Sequence, residues 1–130
     1  MIPRYRAYDS GSLCRMYSSE EVMVGNGDIW IIDEDDVAGE WIVNNDLSLM
    51  QSTGLTDKNG KEIFEGDILG TDGGLLDGVV EYRTDLGMWT NSLFRYNNFE
   101  RLCCIANSRE IIGNIWENGE LLDGENTEEN

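Results

Sequence analysis

Thr53-Gly54-Leu55-Thr56-Asp57-Lys58-Asn59-Gly60-Lys61-Glu62-Ile63-Phe64-Glu65-Gly66-Asp67-Ile68-Leu69 places two turn signals around one apolar strand pattern. Asn and Gly tolerate positive φ, and an Asp side chain can accept a hydrogen bond from the backbone two residues on. Asp57-Lys58-Asn59-Gly60 is therefore a turn with a mechanism. Ile63-Phe64 opens an extended run that Glu65-Gly66-Asp67 bends before Ile68-Leu69, since a Gly within a strand pattern marks a bulge or a close backbone approach. If this stretch also carries a binding site, its polar candidates are Asp57, Asn59, Lys61, Glu65 and Asp67.

Downstream, residues 70–78 form a Gly- and Asp-rich connection, and Val79-Val80-Glu81-Tyr82 is a strand. Met88-Trp89-Thr90 is its neighbour across Asp85-Leu86-Gly87. Residues 99–107 fit two periods: Phe99, Leu102, Cys103 and Ala106 are spaced as on a helix, whereas Leu102-Cys103-Cys104-Ile105 reads as a strand. Residues 111–116 return to strand. Upstream, residues 3–8 alternate basic and apolar side chains as an edge strand does, and residues 13–17 return beside them as a hairpin. Ser18-Ser19-Glu20-Glu21 has the composition of a short helical turn. Gly25-Asn26-Gly27-Asp28 is a turn, and the continuous apolar run Ile29-Trp30-Ile31-Ile32 predicts a strand buried on both faces. Trp41-Ile42-Val43 is the strand expected to pair with it, across the acidic loop Asp33-Glu34-Asp35-Asp36.

Many short strands, a single proline and little helical periodicity predict a mainly β fold, an antiparallel barrel or sandwich. The expected organisation is a small β sheet over residues 1–52, packed beside an SH3-like barrel-type subdomain over residues 53–122. From Glu117 onward the chain holds six acids and no base, and residues 123–130 have nothing apolar to bury, which predicts a disordered acidic tail.

Leu49-Met50-Gln51-Ser52, read together with the opening stretch, resembles the YopX family of bacteriophage and prophage proteins. Three further patches agree in order: Arg4-Tyr5-Arg6-Ala7-Tyr8-Asp9 with Met16-Tyr17, Gly78-Val79-Val80-Glu81-Tyr82, and Glu110-Ile111-Ile112-Gly113-Asn114-Ile115-Trp116-Glu117-Asn118 with Leu121-Leu122. Gly119 departs from the pattern, standing where a proline is expected. The resemblance implies a phage- or prophage-encoded protein of mainly β fold, and it brings no catalytic residues.

Composition narrows the chemistry. The 130 residues carry 26 acids, nine bases and a formal charge of −17, which disfavours nucleic acid and anionic membranes and favours a basic partner. There are no histidines, so neither a Ser-His-Asp nor a Cys-His nucleophile can be built from this chain alone, and the commonest zinc ligand is missing. Cys14 and the adjacent Cys103-Cys104 form no disulfide framework and read as reduced thiols, and Cys103-Cys104, lacking the spacing of a redox or zinc motif, read as structural. The Gly-rich stretches match no nucleotide fingerprint, and no cofactor is expected. Met1 to Arg6 lacks the apolar core of a signal peptide, giving the expectation of a cytoplasmic protein. Trp30, Trp41, Trp89 and Trp116 lie in apolar strand patterns and read as core or subunit-interface residues rather than a base-stacking platform. The reading that results is a non-enzymatic protein that binds a host or phage macromolecule and forms homo-oligomers. Its rivals are an acidic nucleic-acid mimic and a metal-dependent hydrolase using Glu62, Glu65 or Asp67.

Overall fold

The computed structural model describes residues 4–11, 14–32 and 39–119. The Asp33-Glu34-Asp35-Asp36 cluster and the acidic tail after Gly119 lie outside the described residues. The chain divides into two compact units, residues 1–52 and 53–130. It is mainly β, built from antiparallel sheets.

In the first unit, β1 (Tyr5–Asp9) and β2 (Arg15–Tyr17) form the expected hairpin, with Ala7 opposite Tyr17 and Asp9 opposite Arg15. On its other side β1 pairs with β6 (Ser48–Thr56), Tyr5 lying opposite Gln51. β1 is thus an interior strand, not the edge its alternation suggested. Both of its faces are covered in part: Ala7 is buried on one, and on the other Arg6 shares its face with buried Tyr8 and lies opposite buried Met50, whose sulfur accepts from the guanidinium at 3.4 Å. Arg15 pairs with Glu21 at 2.6 Å and stacks over the Tyr17 ring.

Residues 18–21 form a turn instead of a helical segment. The Glu21 N–H donates to the Ser18 carbonyl, and the Ser18 N–H donates back to the Glu21 carboxylate. This reciprocal closure leads straight into β3 (Val22–Gly25), a strand that sequence reading passed over. β3 joins β4 (Asp28–Ile32) through Asn26-Gly27, both at positive φ, as the two-residue hairpin turn requires. β4 pairs in turn with β5 (Trp41–Val43), giving the sheet order β3-β4-β5. Val22 and Ile31 from this sheet meet Ala7, Tyr17 and Leu47 in the unit's core.

In the second unit, the later part of β6 is followed by the Asp57–Gly60 turn and β7 (Glu62–Phe64), its neighbour in the sheet. Glu65-Gly66 then turns the chain into β8 (Asp67–Gly70). β8, β9 (Gly78–Arg83), β10 (Met88–Leu93) and β11 (Phe99–Arg101) run as an antiparallel meander. The ambiguity after Phe99 resolves against the strand reading of Leu102-Cys103-Cys104-Ile105: the strand ends at Arg101, and helix α1 (Leu102–Ile105) and a 3-10 turn, Ala106–Ser108, follow, burying Leu102 and Ala106 at helical spacing. β12 (Glu110–Asn114) returns to pair with β8. The order β11-β10-β9-β8-β12, with a helical turn before the last strand, is the connectivity of an SH3-like barrel, and the sheet curls as a half-barrel. Ile63, Leu69, Val80, Leu102 and Ala106 fill it.

One ion pair, buried on the Arg109 side and half-buried on the Glu100 side, locks the return of the last strand. The Arg109 guanidinium donates to both Glu100 oxygens, at 2.6 and 2.7 Å, and the fully buried Asn91 amide adds a third bond to Glu100 at 3.0 Å. The Arg109 guanidinium beside it holds the Glu100 carboxyl below the usual range; burial works the other way and is outweighed.

Gly60 sits at φ +82°, with open space where a Cβ would stand. A Gly60→Ala change therefore reports backbone strain free of packing, and we expect it to cost about 1–2 kcal/mol in urea unfolding.

Candidate functional site

The turn that the sequence singles out is held by Asp57, which is only 3% exposed. One carboxylate oxygen accepts the N–H groups of Asn59 and Lys61, each at 2.9 Å, and the other accepts the N–H of Ile111 at 3.0 Å. Burial alone would raise the carboxyl's pKa; the three backbone donors and the Lys61 charge outweigh it and hold the group below its ordinary value. The Asp67 carboxylate is likewise turned inward and accepts the Phe64 N–H at 2.8 Å, closing the Glu65-Gly66 turn. Of the five polar candidates, then, Asp57 and Asp67 brace two different turns. Asn59 and Lys61 reach solvent and Glu65 is half-buried. Asn59 approaches Glu110 at 3.4 Å, and Lys58 lies 3.9 Å from the same carboxylate.

Two shallow clefts mark the second unit. One, of about 290 Å³, is lined by Lys58, Thr71, Asp72, Asp77, Ser108 and Glu110. Asp77 is occupied within the loop, accepting the Thr71 N–H at 2.7 Å. The other, of about 430 Å³, lies over Glu81, Arg83, Ser92, Tyr96 and Phe99, where the Ser92 hydroxyl donates to Glu81 at 2.6 Å. The Ser92–Glu81 pair has no histidine to relay its proton, since the chain contains none. Among the described residues, no three His, Cys, Asp or Glu side chains come together to hold a metal ion. Cys103 and Cys104 lie on α1, not on a strand, with sulfurs 4.0 Å apart, and they and Cys14 are free and exposed. Among the described residues, no helix is long and apolar enough to cross a membrane.

The first unit carries a surface of another kind. Residues opposite each other on neighbouring antiparallel strands share a face. Val22, Ile31 and Ile42 are in register, and so are Met23, Trp30 and Val43. Val22 and Ile31 face the core. The opposite face therefore presents Met23, Trp30, Ile32, Trp41 and Val43, five apolar side chains on three adjoining strands. Met23 is 47% exposed, Val43 43% and Trp41 38%; Trp30 and Ile32 are half-buried. The double burial expected of Ile29-Trp30-Ile31-Ile32 is met on one side only among the described residues: Ile31 packs into the core, and Trp30 and Ile32 on the other face are half-buried. No polar candidate drawn from the sequence belongs to this surface. Its signal was the unbroken apolar run itself, an excess over what a sheet with one wet face needs. The tryptophans divide accordingly: Trp89 packs on the second unit's core and meets Tyr82 edge-on, whereas Trp41 and Trp116 are each 38% exposed, and none of the four is fully buried.

The profile of the YopX protein family matches residues 4–123. Among solved structures, protein EF1440 from Enterococcus faecalis is 28% identical, with a TM-score of 0.63 over 94% of this chain and 99% of that one. Protein yopX from Bacillus subtilis shares the fold at 16% identity, with a TM-score of 0.57 over 91% of this chain and 96% of that one. No curated protein matches the chain.

Proposed function

The chain belongs to the YopX family, and on that footing we propose that it is a non-enzymatic binding protein of phage or prophage origin, which engages a macromolecule in the cytoplasm of the bacterial host. The observation that supports this reading is the apolar outer face of β3, β4 and β5. Adjoining large apolar side chains exposed on one sheet face cost solubility unless a partner covers them, and such faces mark interaction sites. The acidic surroundings keep the unbound chain soluble while that face stays open.

The experiment compares capture from host lysate by the wild-type chain and by a Met23→Ser, Val43→Ser variant. Both positions are exposed, so the variant is expected to fold with unchanged far-ultraviolet circular dichroism and to lose its stoichiometric partner. A folded variant that captures the same partner in equal amount rejects the reading. A second reading, nucleic-acid mimicry, draws on the absence of any Lys or Arg between Arg15 and Lys58. Displacement of the captured partner by duplex DNA supports it, and a partner indifferent to DNA eliminates it.

A further inference from the structure

The outer face ends at a sheet edge, and the geometry of that edge bears on what covers it. Resting on the binding role just argued, we propose that β5 receives an extended segment of a partner protein, which adds as a strand, bears large apolar side chains at its centre and is flanked at both ends by Lys or Arg.

Three observations carry this. The first is the ladder. The Asn44 N–H donates to the Ile29 carbonyl at 2.8 Å, and with Val43 opposite Trp30 this makes Asn44 and Ile29 a hydrogen-bonded pair. Such pairs alternate along an antiparallel ladder. Ile42 therefore turns its backbone groups to β4, and Trp41 and Val43 turn theirs outward. Among the described residues no strand lies beyond β5 in its sheet. The second is apolarity. All three residues of β5 are exposed, Ile42 by 42%, so an added strand would find apolar contact on both faces of the edge, and Met23, Trp30 and Ile32 extend that contact on the outer one. Main-chain bonds would supply affinity and the side-chain contacts specificity, the general division of labour in strand addition.

The third is charge, which selects the occupant. Glu40 precedes β5 and is exposed; Asp46 is exposed shortly after it, and Asp28 stands at the same end, receiving a bond from the Asn45 amide at 2.8 Å. With no Lys or Arg between Arg15 and Lys58, both ends of the strand are acidic. A second copy of this chain would bring the same acids to the same edge, and juxtaposed like charges oppose that pairing; nucleic acid is opposed for the same reason. A segment with Lys or Arg at both ends of an apolar centre meets the charge and the apolar surface together.

The probe is the synthetic peptide Lys-Lys-Val-Ile-Val-Lys-Lys, titrated against the full chain and followed by tryptophan fluorescence and calorimetry. One control peptide replaces the central Ile by Pro, which keeps the charge but removes a strand donor. We expect stoichiometric binding that weakens with salt, and a loss of about tenfold or more both for the Pro peptide and for the Val43→Ser chain. Equal binding of the Ile and Pro peptides would mean adsorption to an acidic surface and would overturn the proposal. So would absence of binding, or a dimer of the wild-type chain in light scattering that Val43→Ser dissolves, which assigns the edge to a second copy. If the lysate partner depends on Met23 and Val43 but the peptide does not bind, strand addition fails and the binding role survives. If capture ignores those residues, the binding role itself fails.

Discussion

Replacing Arg109 by Ala is expected to lower the free energy of unfolding by about 3 kcal/mol, the low end of the range for removing one member of a buried ion pair, because Glu100 is only half-buried. The guanidinium side chain is 9% exposed and that of Glu100 19%, so water replaces little of what is lost. Without Arg109, the Glu100 carboxylate keeps the Asn91 amide but stays charged in a poorly solvated place, and its pKa must rise. The comparison that separates charge from packing is the double change Arg109→Met, Glu100→Met. Removing both charges also removes the uncompensated one, and similar replacements elsewhere are neutral or stabilising. The double variant should therefore recover most of the loss in urea unfolding at neutral pH. A double variant as unstable as Arg109→Ala would show that the bidentate geometry, not an orphaned charge, sets the stability.

Asp57→Ala is the second large effect, expected at about 3 kcal/mol. It strips the acceptor from three backbone donors, and bonds to a charged group contribute about 1.5–3 kcal/mol each before water and relaxation recover part. Asp57→Asn keeps one acceptor oxygen and should cost less. The same residue sets a pH signature. Its folded-state pKa lies below the ordinary value, so the stabilisation is complete above the unfolded-state pKa, about 3.9 for Asp. It is lost as pH falls from there through the lower folded value. Glu100, also lowered, acts in the same direction. The gap in stability between wild type and Asp57→Ala should be constant from neutral pH down to about 5 and close in more acidic solution. A gap that widens on acidification would contradict the hydrogen-bonded carboxylate.

How much of this was legible follows from what each feature needs. Asn26-Gly27 and Asp57-Lys58-Asn59-Gly60 are local devices whose side chains or φ angles act within a few residues, and the sequence announced both. The hairpin from Val79-Val80-Glu81-Tyr82 to Met88-Trp89-Thr90 was legible as well, its two strands separated by little more than their turn. β3 escaped because Ser18-Ser19-Glu20-Glu21 has a helix start's composition; the Glu21 side chain in fact bonds back to Ser18 and leads directly into the strand. Asp57 was read as a turn former and a candidate ligand, but its hold on Ile111 spans 54 positions and depends on how β12 returns. The Glu100–Arg109 pair was likewise hidden, since only the helical turn between them brings the two together. The outer face of β3, β4 and β5 stood half in view. Ile29-Trp30-Ile31-Ile32 declared two apolar faces, and periodicity has no means of saying that the described residues bury only one.

The most direct test of the binding role is amide hydrogen exchange across the full chain, alone and saturated with the captured partner. We expect exchange to slow at Trp41 and Val43, whose amides point to the open edge, and more weakly through β3 and β4, with the β8–β12 sheet unchanged. Protection confined to the clefts of the second unit, with β5 exchanging as in the free chain, would contradict the account.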